Sequence, residues 1–100
     1  MRIIFNTTYM VEEAVEQDWQ EFMQRHYIPY LHRNKLADDV IFSRVSIDQP
    51  EGKTFSLQIV FQATEDLQHF LTKHLPFLEE KISEKYKNHY LCFSSTLTEI

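Results

Sequence analysis

One hundred residues with 43% hydrophobic and 14% aromatic content are enough for one packed domain, 1–100, and argue against disorder. A net charge of −5 excludes a general nucleic-acid binder, which needs a Lys/Arg surplus on one surface, and the longest basic stretch, Lys81–Lys87, is interrupted by Glu84. The single cysteine excludes an internal disulfide, and the one glycine, Gly52, leaves no phosphate-cradling loop of the P-loop or dinucleotide type.

The chain opens on a β-branched and aromatic segment, residues 2–11, that reads as a strand. Ile3, Phe5, Thr7, Tyr9 and Val11 share one side; Ile4, Asn6, Thr8 and Met10 share the other. The apolar start turns polar at Asn6, too soon for a secretion signal, and no later run is long enough to span a membrane. With reduced cysteine chemistry this predicts a cytoplasmic protein, in which the Asn6-Thr7-Thr8 sequon is empty.

From Glu12 the period changes to that of an amphipathic helix centred on Val15, Trp19, Phe22 and Met23, with early acids suited to its N-terminus. Pro29 limits or kinks it, and a further turn ends near Asn34. Residues 40–48 and 54–62 read as two strands joined by a type I turn with Pro50 second and Gly52 fourth. Pairing Ile47 with Phe55, Val45 with Leu57 and Ile41 with Phe61 matches apolar residues across them. Thr64 is placed to cap a second helix, with Glu65 and Asp66 in its first turn. Its stripe runs through Leu67, Phe70, Leu71, Leu75, Leu78, Ile82 and Tyr86, broken into two pieces at Pro76. The last strand, 89–99, is expected to turn Leu91, Phe93 and Leu97 to the core.

The order β-α-β-β-α-β, with right-handed crossovers, predicts an α+β ferredoxin-like sandwich. Two helices cover one face of a four-stranded antiparallel sheet of order 4-1-3-2. The other face is left open. On this reading it carries Ile4, Asn6, Thr8, Met10, Phe42, Arg44, Ser46, Ser56, Gln58, Val60 and Gln62, with Tyr90, Cys92, Ser94 and Thr96 from the last strand. So broad an uncharged surface favours cover over plain solvation.

The motifs Asn6-Thr7-Thr8, Val11-Glu12-Glu13, Tyr27-Ile28-Pro29 and Phe55-Ser56-Leu57-Gln58 resemble a small bacterial family that carries a domain-of-unknown-function label. The resemblance spans nearly the whole chain. It implies kinship with the dimeric α/β-barrel superfamily, whose ferredoxin-like subunits meet sheet to sheet, and hence a homodimer. It supplies no catalytic residues.

The residues themselves offer no strong catalytic or metal signature. His69 and His74 are five apart and His26 and His32 six apart, so neither pair has the i, i+4 spacing of a helical metal site, and no metal or cofactor is expected. Asp18 and His26 are roughly 12 Å apart along a helix, too far for direct contact. Cys92 has no helix N-terminus or base beside it to make a nucleophile.

The candidate ligand or dimer face is therefore Asn6, Thr8, Arg44, Gln58, Tyr90 and Ser94. Asn6 and Gln58 sit on adjacent central strands. Either they are satisfied across a dimer interface, or with Arg44 they orient a small polar or anionic ligand. RNA recognition is excluded, because those strands lack stacking aromatics and basic residues. Two readings stand: a non-catalytic homodimeric ligand-binding or interaction module, and, by analogy within the superfamily, a cofactor-free enzyme of monooxygenase or isomerase type.

Overall fold

The structure is a computed structural model that describes residues 1–46 and 52–100. Strands β1 (Ile3–Val11), β2 (Asp39–Arg44), β3 (Lys53–Phe61) and β4 (Tyr90–Thr98) form one sheet. Its order is β2-β3-β1-β4 and every neighbouring pair is antiparallel, which is the 4-1-3-2 arrangement read from the other edge. The helical segments are α1 (Glu16–Phe22), α2 (Ile28–Arg33), α3 (Thr64–Lys73) and α4 (Leu75–Tyr86).

The first helical run is continuous from a 3₁₀ turn at Glu13–Val15 to Arg33, and Pro29 explains its irregularity. Proline offers no N–H to the turn before it. Residues Met23–Tyr27 accordingly adopt a π-turn, in which the Ile28 N–H reaches back five residues to the Met23 carbonyl. The helix thus passes the proline without stopping. The second run does break, at His74, and Pro76 lies in the first turn of α4, where its missing N–H costs nothing. Ala63, rather than Thr64, caps α3: Thr64 is already helical, and the Ala63 carbonyl accepts from the Asp66 and Leu67 N–H groups.

The core lies between the helices and the odd-numbered side of β1 and β3. Phe5, Tyr9, Val11, Phe55, Leu57, Ile59 and Phe61 meet Trp19, Met23, Tyr27 and Leu31 from the first run, and Leu67, Phe70, Leu78, Ile82 and Tyr86 from the second. Trp19 is its centre, 4.9 Å from the Phe55 ring and 5.1 Å from that of Tyr9. Packing so many large rings on one sheet face supplies the burial that holds both runs down.

Two strands have the opposite facing from that read in the sequence. In β2, Val40 pairs with Ile59 and Phe42 with Leu57, so Val40, Phe42 and Arg44 face the helices and Ile41 faces away. Both parities of this strand hold apolar residues, and the bulkier Phe42 takes the core side, tilted against Trp19 at 5.8 Å and stacked on Phe55 at 6.0 Å. The expected pairings of Val45 with Leu57 and Ile41 with Phe61 are therefore replaced; Ile47 and most of the expected turn, including Pro50, lie outside the described residues. In β4, Val11 pairs with Tyr90, Tyr9 with Cys92 and Thr7 with Ser94. Tyr90, Cys92, Ser94 and Thr96 consequently share the helix side, and Leu91, Phe93 and Leu97 lie on the open face.

Candidate functional site

The corrected facing makes the open side of the sheet more apolar than the sequence suggested. Across its middle, β1 contributes Ile4, Asn6, Thr8 and Met10, flanked by Ser56, Gln58 and Val60 of β3 and by Leu91, Phe93, Ser95 and Leu97 of β4. Ile41 and Ser43 of β2 complete it. Leu91 is 69% exposed, Phe93 60%, Ile41 45% and Leu97 43%. These are large side chains that a solvated strand face does not ordinarily display together. Asp39, at the β2 margin, is the one charged residue at these strand positions; Arg2 lies beyond the strand end, 2.9 Å from Glu99.

A polar strip crosses this apolar field. Asn6 lies opposite Gln58, and Thr8 opposite Ser56. The Ser56 hydroxyl donates to the Asn6 side-chain oxygen at 3.0 Å, which anchors the amide and leaves its NH₂ donors for other acceptors. Of the six residues expected here, Asn6, Thr8 and Gln58 are brought together.

Arg44, Tyr90 and Ser94 are not. Arg44 reaches over the helix side, donating to Gln20 at 3.3 Å, lying 3.5 Å from the Glu16 carboxylate and resting over the Phe55 ring. Tyr90 leans on Tyr9 with ring centroids 6.3 Å apart, and the Ser94 hydroxyl shares a 2.8 Å hydrogen bond with Thr7. Their facing was lost with the parity of β2 and β4. Among the described residues the open face therefore holds no cation between its strand ends.

The helix side of β1 and β4 forms a second polar group. Thr7, Tyr9, Tyr90, Cys92 and Ser94 border a cavity of about 20 Å³ under Leu75, Glu79 and Ile82 of α4, room for one water molecule. Burial pushes the Tyr9 and Tyr27 phenols upward, so both stay protonated donors. Burial, then the charge of Glu79, also raises the Cys92 thiol, the reverse of what a nucleophile needs.

The histidine spacing hid one contact. Because the helix breaks at His74, its Nε2 comes within 3.3 Å of that of His69, while its Nδ1 shares a 2.8 Å hydrogen bond with the Tyr30 hydroxyl. Burial and His69 together lower the His74 pKa. Among the described residues no group of three or more His, Cys, Asp or Glu is placed to hold a metal. Asp18, expected only to border the helix stripe, accepts a 2.5 Å hydrogen bond from the Tyr86 hydroxyl, which holds its carboxyl below the usual range.

This arrangement matches solved structures along its whole length. The chain is similar to an ethyl tert-butyl ether degradation (EthD) family protein from Bacillus halodurans, at 16% identity and TM-score 0.73, covering 100% of both chains. It is similar to SnoaB, a cofactor-independent oxygenase from Streptomyces nogalater, at 7% identity and TM-score 0.67, covering 99% of this chain and 93% of that one. The de novo designed protein Foldit4 also matches, at 10% identity and TM-score 0.63 over 100% of both chains. These likenesses define a ferredoxin-like fold whose neighbours are proteins of the dimeric α/β-barrel, monooxygenase type. At such identities they establish the fold and no activity, and a designed protein among them makes the same point.

The chain belongs to the DUF4286 family, a domain of unknown function, whose model matches residues 2–100. No curated protein shows a significant match to it. No helix among the described residues is long and apolar enough to cross a membrane.

Proposed function

We propose that the protein is a homodimer joined open face to open face, and that it serves as a non-catalytic binding or interaction module. The observation that carries this reading is the exposed group Leu91, Phe93, Leu97, Ile41 and Met10 on a sheet face almost without charge. Three strands of nine residues and β2 of six, at spacings of about 4.8 Å, present a surface of at most roughly 19 by 30 Å. That is on the scale of one side of a standard protein interface. The strip of Asn6, Thr8 and Gln58 would then lie at the contact, its remaining donors and acceptors met by the partner copy or by a small polar ligand held between the two. An anion is poorly served there, since Arg44 faces the helices.

The second reading, a cofactor-free enzyme, draws on SnoaB's description and on the hydroxyl-rich cavity beside Tyr9 and Tyr90. A space of about 20 Å³ admits one water and no organic substrate, and Cys92 is not activated. The binding reading therefore stands first.

Light scattering on a gel-filtration column tests it. The expected mass at micromolar concentration is twice the 12.1 kDa of one chain, and Phe93→Glu should return the single-chain mass with its circular dichroism unchanged. A wild type that elutes as a monomer overturns the proposal. Asn6→Leu should disturb assembly more than folding; an unchanged mass with lowered thermal stability would contradict that placement.

A further inference from the structure

The helical side carries a recess that neither the dimer nor the polar cavity uses. Between α1 and α2 on one flank and α4 on the other lies a trough of about 330 Å³. Its walls are aromatic. Tyr30 stacks on Phe77 at 5.5 Å and 30°, and Phe22 meets Tyr86 edge-on at 5.9 Å. Phe77 remains 45% exposed, and beside Tyr30 and Phe22 it belongs to an apolar patch rather than standing alone.

The rim is cationic. Lys81 and Lys85, one helical turn apart, hold their ammonium groups 5.5 Å from the Phe77 and Phe22 rings respectively. Arg33 closes the far end at the last turn of α2, and among the described residues no carboxylate lies within ion-pair distance of it. Three of the chain's ten Lys and Arg residues thus surround one aromatic recess on a protein of net charge −5. Two acids are near: Glu84 lies 3.8 Å from Lys81 and Asp18 lies 3.7 Å from Lys85. Both pairs are solvent-exposed, so they contribute little and give way to a better-placed anion.

We propose that this trough binds a flat aromatic anion. Its ring system would lie against Phe77 and Phe22, and its carboxylate or other anionic group would be held by Lys81, Lys85 and Arg33. The volume sits at the small end of the range for small-molecule sites, which suits one or two fused rings rather than a peptide helix. The site is on the opposite side of the molecule from the sheet face, so it stays open whether or not two copies associate.

Titration of the full chain with 1-naphthoate, followed through backbone amide NMR shifts, tests this. The shifts should cluster at residues 22–33 and 77–85, with a dissociation constant of about 1 mM or tighter for a ligand of that size. The neutral analogue 1-naphthalenemethanol should bind at least tenfold more weakly. The double variant Arg33→Glu and Lys85→Glu should weaken naphthoate at least tenfold while leaving the alcohol unaffected. Phe77→Ala, at a half-exposed position, should keep the fold and weaken both ligands. Shifts confined to β1 and β4, equal binding of acid and alcohol, or indifference to the charge reversal would each overturn the proposal.

Discussion

Gly52 is the residue whose replacement the structure prices most directly. Its φ is +82°, a conformation that costs an L-residue with a side chain about 1–2 kcal/mol. A Cβ there would also overlap the Val11 carbonyl oxygen and stand 2.9 Å from its carbon. Relieving that overlap requires the two backbones to part, because the obstacle is main chain and not the end of a flexible side chain. Val11 has no room to retreat: it is paired with Lys53 on one side and Tyr90 on the other, and the N–H of its own peptide unit, on Glu12, bonds to His89 at 3.0 Å. Moving that peptide sacrifices a backbone hydrogen bond, about 1–3 kcal/mol if its donor is left unmet. Gly52→Ala should therefore cost roughly 2–5 kcal/mol in all. That corresponds to a fall of at least about 8 °C in Tm for a domain of this size. Urea unfolding followed by fluorescence of Trp19, the single and fully buried tryptophan, reads it at fixed protomer concentration. Gly52→Asn separates the two causes, because asparagine tolerates positive φ but still carries a Cβ. It should be nearly as damaging as alanine. A loss under about 1 kcal/mol for alanine, or wild-type stability for asparagine, refutes the steric reasoning.

His74 makes stability depend on pH. Its folded pKa lies below the ordinary 6.5, so as pH falls through 6.5 the unfolded chain takes up the proton first and stability drops until the lowered folded value is passed. Tm measured at pH 7.5, 6.5 and 5.5 should fall more steeply in the wild type than in His74→Gln; identical slopes would remove the assignment. Met23, fully buried in the π-turn, should cost about 2–5 kcal/mol on replacement by alanine, whereas Met10→Ala on the open face should cost under about 1 kcal/mol in the monomer. Equal urea midpoints for the two variants would contradict the placement of the core.

What could be read from the residues alone depended on how unequal the two sides of each strand are. In β1 and β3, Phe5, Tyr9, Val11, Phe55, Leu57, Ile59 and Phe61 all share one parity, and that side is buried. In β2 the string Val40-Ile41-Phe42 is apolar on both, so alternation could not choose, and volume against Trp19 did. In β4 the alternation was clear and its meaning was inverted. Leu91, Phe93 and Leu97 are an apolar set on an edge strand, and an apolar parity marks whichever side is destined for cover, whether by a helix or by another molecule. Asn6, Thr8 and Gln58 share the open face, as their parity predicts, because they ride on the two unambiguous strands. The contact of His69 with His74 and the trough beside Phe77 escaped because they depend on where helices break and how they lie side by side, which spacing along one helix does not encode.

The pairing of β1 with both β3 and β4 has a consequence for how the chain folds. β3 meets β1 across roughly 40 to 60 positions, as in Val11 with Lys53 and Ile3 with Phe61, whereas β4 meets it across roughly 80 to 95, as in Val11 with Tyr90 and Ile3 with Thr98. Closing the longer loop costs more entropy, by about 0.5 kcal/mol, so β4 is expected to dock after β3. Until it does, the outer edge of β1 offers its free N–H and C=O groups to any strand of suitable register. The best-matched competitor is β4 of another copy. The C-terminal strand thus closes the β1 edge, and a chain in which it docks slowly is open to strand exchange between copies.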